Sequence, residues 1–177
     1  QTTGVPTAIA GSPFASGTSP FAMTFSGTGT ARLAFTANNG SNDVSAYTVD
    51  TITGALTAVA GSPFAAGTNP YAIAADPLGR FLYVVNKNGD TISAYTIASG
   101  TGVLTLAGTG TFTAGSNPSS AAVDPTGKFI YVTSSTTSEV LGFSIDGSTG
   151  IPAVLPGFPV LVGTTPNDIK IVKVSQP

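Results

Sequence analysis

The feature that most constrains this chain is an internal repeat of 48 residues. Four kinds of position share that spacing: Phe35, Tyr83 and Tyr131; Tyr47, Tyr95 and Phe143; Thr53, Thr101 and Thr149; and Pro70, Pro118 and Pro166. A repeat of this length indicates one structural unit copied several times, in which neighbouring copies pack together and bury a shared core. The architecture therefore follows from how a single unit folds.

Each unit contains four short apolar stretches separated by turn signals. In the central copy we predict strands at residues 72–75, 80–85, 91–97 and 103–107. Asp76-Pro77-Leu78-Gly79 suits a type I turn, because proline presets φ at its second position, and Asn88-Gly89 suits a tight hairpin. The second strand has apolar residues on both faces, as expected of a strand between two packed sheets. Four-stranded antiparallel meanders at this period are typical of β-propeller blades.

We predict an all-β fold with β-propeller-type blades: three full blades plus an unpaired strand at each end. The single domain, 1–177, would contain an outer strand of an incomplete blade (1–16), three blades (17–64, 65–112 and 113–162) and an inner strand of an incomplete blade (163–177). These terminal strands are predicted because the opening residues parallel 53–64 and the closing residues parallel those from Pro70 onward.

The composition excludes several classes of protein. Only 8% of the 177 residues are charged, which leaves few of the Glu, Lys and Arg residues that favour exposed helices. Six basic and eight acidic residues offer no patch able to neutralise a row of phosphates, so we predict no nucleic-acid partner. No apolar run approaches the roughly 18 residues of a membrane helix, so we predict no membrane span. The absence of an initiator Met and the abundance of Thr, Ser and Gly favour an extracellular or cell-surface protein whose signal peptide has been removed.

The ends of the three predicted second strands carry a family resemblance. Tyr83-Val84-Val85-Asn86, Tyr131-Val132-Thr133-Ser134 and Phe35-Thr36-Ala37-Asn38 resemble the YVTN-type β-propeller repeat, which also occurs in seven-bladed, 6-phosphogluconolactonase-like lactonases. The resemblance covers nearly the whole chain and implies the propeller fold. It leaves the function open, since such repeats also occur in secreted and surface-layer proteins of bacteria and archaea. No motif here corresponds to a catalytic site of that family, so no catalytic residue is carried over.

The residue types present limit the possible chemistry. With no His and no Cys, Ser-His and Cys-His nucleophile pairs and the usual zinc sites are excluded. Asp76 with Arg80, and Asp124 with Lys128, recur at one blade position, which favours a structural turn over an acid/base or anion site. The hairpin carboxylates, one in each blade, are too few for the roughly six to eight oxygen ligands of calcium. These are Asp43, Asp90 and Glu139. We therefore predict no catalytic, cofactor or metal site.

The incomplete blades predicted at both ends indicate self-assembly. An open strand edge offers unpaired backbone donors and acceptors to another chain. Our main functional prediction is a secreted, non-catalytic structural or surface protein that forms a filament or ring with copies of itself, with surface glycans as possible further partners. The candidate interface residues are Val5, Ala8, Ile9, Ile169, Ile171, Val172 and Val174.

Two alternative functions stay open. A lactonase-like hydrolase, or a fragment of a seven-bladed propeller enzyme, would need unlike polar residues on its innermost strands, where only Asn167, Asp168 and Lys170 offer reactive groups. A carbohydrate-binding adhesin would use the aromatic residues Phe21 and Tyr71, which follow strand-opening prolines. Lactone hydrolysis that disappears in Asp168→Ala would favour the hydrolase.

Overall fold

The computed structural model describes residues 5–27 and 32–171, which form three antiparallel sheets and, over these ranges, contain no helix. The first sheet contains β1 (Pro20–Ser26), β2 (Arg32–Asn38), β3 (Asp43–Val49), β4 (Leu56–Ala58) and β5 (Phe64–Ala65). The second contains β6 (Pro70–Ala75), β7 (Phe81–Asn86), β8 (Thr91–Ile97) and β9 (Leu104–Thr113). The third contains β10 (Pro118–Val123), β11 (Phe129–Ser134), β12 (Glu139–Ile145), β13 (Pro152–Val154) and β14 (Val160–Leu161). The predicted all-β fold of meandering blades is confirmed.

Two hydrophobic cores lie between neighbouring blades, and strand β7 serves both. Leu82 and Val84 pack into the core shared by the first and second blades, whereas Tyr83 and Val85 pack into the core shared by the second and third. Alternate residues serve different cores because successive side chains of a strand point to opposite faces of the sheet. Every residue of β7 is consequently buried, as the predicted two-faced apolar strand requires.

The aromatic residues of the third strands are all buried, as the repeat predicts; Tyr95 and Phe143 lie in these two cores, whereas Tyr47 lies beneath the segment before β1. Tyr47, Tyr95 and Phe143 are each at most 4% exposed. The Tyr95 hydroxyl donates to the carbonyl of Ala65 at 2.6 Å. Burial raises the pKa of Tyr95 to about 12, so this hydroxyl stays a donor at neutral pH. The Tyr47 hydroxyl donates in the same way to Ala15, which ties the segment before β1 to the first blade.

Each inner strand opens with a proline followed by an unpaired residue. Pro70 lies opposite Asn86 and Ala72 lies opposite Val85, so Tyr71 between them has no partner in the register. The same irregularity leaves Phe21 unpaired in β1 and Ser119 unpaired in β10. An extra residue of this kind is a β-bulge, which redirects a side chain away from the regular pleat. The residue after each of these prolines therefore lies outside the regular pairing of its sheet.

The outer edge differs between blades and from the predicted single fourth strand. Strands β4 and β5 both pair with β3, and β13 and β14 both pair with β12, whereas β9 is one strand of 10 residues. Pro63 and Pro159 immediately precede β5 and β14, and a proline has no N–H to donate to a ladder. The corresponding residue of the second blade is Thr111, which lies inside β9 and has the backbone N–H that proline lacks.

Residues 5–16 and 163–171, the described parts of the two predicted terminal strands, contain no assigned strand. A strand requires a hydrogen-bonded neighbour, and within the described residues neither segment pairs with one. The rest of the predicted terminal strands, at 1–4 and 172–177, lies outside the described residues. The described ranges also hold no helix long and apolar enough to cross a membrane.

Candidate functional site

The inner strands line a cavity of about 570 Å³. Strands β1, β6 and β10 contribute mainly small residues to its wall, and residues 168–171 complete one side. Small side chains on inner strands leave open space where the blades converge. In the repeat, Ala22 and Ala72 correspond to Ser120 and Asp168, so polar groups replace alanine at one level of the cavity. This change of residue type singles out the wall formed by β10 and residues 168–171.

Ser120 and Asp168 form a hydrogen-bonded pair on that wall. The Ser120 hydroxyl donates to Oδ1 of Asp168 at 3.1 Å and accepts the backbone N–H of Ile169 at 3.3 Å. The ammonium of Lys170 lies 3.4 Å from Oδ2 of the same carboxylate. Both charged side chains stay largely exposed, at 63% for Asp168 and 82% for Lys170. A hydroxyl, a carboxylate and an ammonium thus meet at the cavity wall.

Neighbouring hydrogen bonds hold this segment beside β10. The hydroxyl of Ser119, the bulged residue, donates to the carbonyl of Pro166 at 2.7 Å and shares a hydrogen bond with the Thr133 hydroxyl at 2.9 Å. Ser119 and Thr133 are both at most 4% exposed. Buried hydroxyl pairs of this kind favour one arrangement of the backbone, because unmade bonds there cost free energy. The position of Asp168 is therefore set by the third blade.

The Asp168 carboxyl group is ionised at neutral pH. The hydrogen bond from Ser120 lowers the pKa of Asp168 below its ordinary value, and Lys170 lowers it further. A carboxylate exposed to a cavity can accept a proton from a water molecule. An ammonium next to it can balance negative charge on a carbonyl oxygen under attack. These groups suit the hydrolysis of an ester or lactone by water, without a His or Cys nucleophile.

The structure brings together two of the three reactive groups that the sequence places on the innermost strands. Asp168 and Lys170 lie in contact at the cavity, whereas Asn167 is exposed and does not line it. Ser120 is absent from the sequence prediction. The signal that points to it is its place in the repeat, where Ala22 and Ala72 stand in the first two blades.

The predicted assembly residues lie at opposite ends of the described chain. Val5 and Ile9 are 72% and 39% exposed, and Ala8 is exposed as well. Ile169 and Ile171 are half-buried and line the cavity. Val172 and Val174 lie outside the described residues. The proposed role of this set as an interface stays a prediction.

The repeated acidic residues form hydrogen bonds within turns or between connections of the blades. Asp76 is 1% exposed and accepts a hydrogen bond from Nε of Arg80 at 2.8 Å. Burial raises the pKa of Asp124, but the hydrogen bonds it accepts from the Thr126 hydroxyl and from backbone N–H groups of its own turn outweigh this and lower the pKa. Asp90 accepts the backbone N–H of Asn117 at 2.7 Å, joining one hairpin to the next connection. Residues 5–27 and 32–171 contain no cluster of three or more potential metal ligands.

Comparison with known families and structures agrees with the propeller-type fold. The family model described as "Lactonase, 7-bladed beta-propeller" matches residues 3–156. A search of curated proteins found no significant match. Among solved structures, a candidate 6-phosphogluconolactonase from Bacteroides fragilis has a TM-score of 0.78 at 23% identity, covering 89% of this chain and 43% of its own. The periplasmic gluconolactonase of Pseudomonas aeruginosa has a TM-score of 0.72 at 22% identity, covering 86% and 42%.

The structural matches extend to proteins of other names. Hydrazine synthase from Kuenenia stuttgartiensis has a TM-score of 0.63 at 24% identity, covering 95% of this chain and 41% of that one. At such identities the likeness establishes a shared fold, and the fold alone hosts many activities. The present chain spans less than half the length of each of these three proteins.

The main functional prediction, a secreted non-catalytic structural protein that self-assembles, is wrong. The family matched over most of the chain is one of lactonases, and the similar structures include a candidate 6-phosphogluconolactonase and a gluconolactonase. The prediction rested on the number of blades in this stretch of sequence and on the scarcity of reactive residues on its inner strands. General-base and electrostatic catalysis need only a few polar groups, so that scarcity does not exclude an enzyme.

Proposed function

The chain belongs to the seven-bladed β-propeller lactonase family, and from this premise we propose that it acts as a lactone hydrolase whose reactive groups lie on the inner wall of the propeller. The observation that carries the proposal is the contact of Asp168 with Ser120 and Lys170 at the cavity. The names of two similar structures, a candidate 6-phosphogluconolactonase and a gluconolactonase, favour a sugar lactone as the substrate.

In the proposed reaction, one water molecule opens the lactone ring. The Asp168 carboxylate takes a proton from water while the water oxygen bonds to the lactone carbonyl carbon. Lys170 stabilises the negative charge that forms on the carbonyl oxygen. The tetrahedral intermediate then breaks the bond between the carbonyl carbon and the ring oxygen, and that oxygen receives the proton held by Asp168. The product is the open-chain hydroxy acid, and the carboxylate is regenerated.

Ser120 is a positioning residue in this scheme. Its hydroxyl donates to Oδ1 of Asp168, and its oxygen accepts the Ile169 N–H, so it orients the carboxylate and the backbone that carries it. The other oxygen of Asp168 faces Lys170. The hydrogen bond from Ser120 keeps the base ionised but makes it weaker, because it stabilises the charged form.

The proposal is tested by hydrolysis of δ-gluconolactone above the uncatalysed rate. We expect Asp168→Asn to lower kcat/KM by about a hundredfold or more, the usual contribution of a general base. Asp124→Asn is the matched control, since that carboxylate accepts hydrogen bonds within an exposed turn of the third blade and does not line the cavity. Equal activity in Asp168→Asn and the parent protein would refute the assignment. The extracellular location and glycan partners stay predictions.

A further inference from the structure

The chain contains a single side chain that mild peroxide oxidises readily. Its sequence has no Cys, no His and no Trp, and Met23 is its one methionine. A methionine thioether takes up one oxygen atom and becomes a sulfoxide, which converts a flexible apolar side chain into a polar one. Oxidation of this chain by peroxide is therefore directed to one sulfur atom, and its effects can be assigned to one position.

The Met23 side chain is accessible from solvent. It is 45% exposed, whereas Ile73, at the same position of the second blade, is 9% exposed. Met23 lines a groove of about 410 Å³ together with Phe14 and Tyr47, and it also lines the cavity that contains Asp168. Peroxide can reach an exposed thioether without any opening of the fold.

The residue paired with Met23 differs from its counterparts in the same way. Met23 lies opposite Thr36 in the register of β1 and β2. The equivalent pairs of the other two blades are apolar: Ile73 with Val84 and Ala121 with Val132. The first blade thus has a thioether and a hydroxyl where the other blades have only hydrocarbon. Neither the sulfur nor the hydroxyl is needed to form the sheet, because apolar pairs form it in the other blades.

Thr36 is placed to bind the oxygen atom that oxidation adds. Directly opposed residues of an antiparallel pair have Cβ atoms about 4.5–5.5 Å apart on the same face of the sheet. Thr36 lines the same groove as Met23. A threonine hydroxyl rotates to suit its acceptor, and the oxygen of a sulfoxide accepts hydrogen bonds. The Thr36 hydroxyl can therefore donate to a sulfoxide at position 23.

We propose that Met23 is a site of reversible oxidation, and that Thr36 accommodates the sulfoxide in the folded protein. The thioether sulfur takes one oxygen atom from hydrogen peroxide, and the remainder of the peroxide leaves as water. The sulfur is oxidised and the peroxide is reduced. Methionine sulfoxide reductases reverse this change, so the thioether can be restored.

Oxidation changes the polarity of a residue that lines both the groove and the cavity. The sulfoxide is polar and larger than the thioether by one oxygen atom. Because Met23 lines the cavity that contains Asp168, its oxidation should weaken the binding of a substrate that packs there through apolar surface. This consequence rests on the proposed lactone hydrolysis, whereas the oxidation of Met23 and the role of Thr36 are independent of it.

Mass spectrometry of the full chain treated with hydrogen peroxide tests the site. We expect one oxygen atom to be added at Met23, less than about tenfold more slowly in the folded chain than in the unfolded chain, since an exposed thioether needs no opening of the fold. Met23→Leu is the matched control, because leucine has a similar volume and no sulfur, and it should gain no oxygen. A tenfold or greater protection of Met23 in the folded chain would overturn the proposal. A sulfoxide that the reductases leave in place would refute its reversibility.

Thermal unfolding tests the role of Thr36. Thr36→Val removes the hydroxyl and supplies the residue type found at the same position of the second blade, Val84. We expect oxidation to lower the melting temperature of Thr36→Val by about 2–4 °C more than that of the parent chain, the effect of about one hydrogen bond in a chain of this size. Thr48→Val, at an exposed threonine of the same blade, should respond to oxidation as the parent chain does. An equal response of Thr36→Val and the parent chain would refute the contact with the sulfoxide.

Kinetics of lactone hydrolysis separate this proposal from the proposed function. We expect peroxide to raise the KM of the parent chain about threefold to tenfold and to leave the KM of Met23→Leu at its untreated value. Hydrolysis that depends on Asp168 and keeps the same KM after oxidation would refute the effect on the cavity. Reversible addition of one oxygen atom at Met23, in a protein without lactone hydrolysis, would refute the proposed function and leave the oxidation site.

Discussion

Two glycines of one turn provide a matched test of how the blades pack. Gly100 and Gly102 have almost the same backbone conformation, with φ of +79° and +76°. A Cβ atom at Gly100 would meet nothing within 4 Å, whereas one at Gly102 would lie 2.6 Å from Cδ2 of Leu33 and 3.2 Å from Cγ2 of Val59. Leu33 and Val59 belong to the core between the first two blades. The two substitutions to alanine therefore share a backbone cost and differ in packing.

The magnitudes follow from these two contributions. An alanine in the left-handed region costs about 1–2 kcal/mol, offset by about 0.4–1 kcal/mol because the unfolded chain loses freedom. Gly100→Ala should therefore destabilise by about 1 kcal/mol. Gly102→Ala adds overpacking of the core, about 1–3 kcal/mol, for a total of about 2–4 kcal/mol. In a chain of this size each kcal/mol corresponds to about 2–4 °C in melting temperature.

Urea and thermal unfolding monitored by circular dichroism measure both variants. Leu33→Val in the Gly102→Ala background should recover part of the loss, because it removes the methyl group nearest to the new Cβ, and a double-mutant cycle isolates that coupling. Equal destabilisation by Gly100→Ala and Gly102→Ala would refute the packing argument. An absence of coupling with Leu33→Val would refute the assigned contact.

Two further predictions concern hydrogen bonds. The buried Tyr83 hydroxyl donates to the carbonyl of Gly150 at 2.9 Å, so Tyr83→Phe should lower the free energy of unfolding in urea by about 1–3 kcal/mol. Tyr131 is only half-buried, so Tyr131→Phe should lower it less. Ser120→Ala removes the hydrogen bond that lowers the pKa of Asp168, so this pKa should rise towards its ordinary value. The acidic limb of the pH–rate profile for lactone hydrolysis should then move to higher pH. An acidic limb at the same pH in Ser120→Ala would contradict the role of Ser120.

Much of the blade could be predicted from local patterns. The turn at Asp76 and the hairpin at Asn88-Gly89 lie between strands as expected, and the third strand has the predicted bounds, 91–97. The buried Tyr95 follows from its place in an alternating strand. The divided outer edge was not predicted. The prolines that divide it, such as Pro63, are visible in the sequence, but the strand they interrupt is defined by pairing with β3.

The site was predicted less completely than the fold. No catalytic residue was predicted; Asp168 and Lys170 were named, together with Asn167, only as the reactive groups available to the alternative hydrolase. Ser120 was missed, since a serine in a Ser-rich chain carries no signal until it is aligned with the alanines of other blades. The functional prediction failed because it rested on the number of blades and on the scarcity of polar residues, neither of which excludes a member of a lactonase family.

The sequence by itself determined the blade, because a 48-residue period combined with alternating strands and turn residues specifies a repeated meander through local preferences alone. Only the tertiary structure decided which residues from different blades meet. Phe21 stacks on Tyr71 because the inner strands β1 and β6 of neighbouring blades are in contact, and Ser120 contacts Asp168 because residues 168–171 lie beside β10 at the cavity. Those contacts depend on how one blade packs against the next, because side chains from both blades must fill the same core. The periodicity of the sequence does not specify that packing.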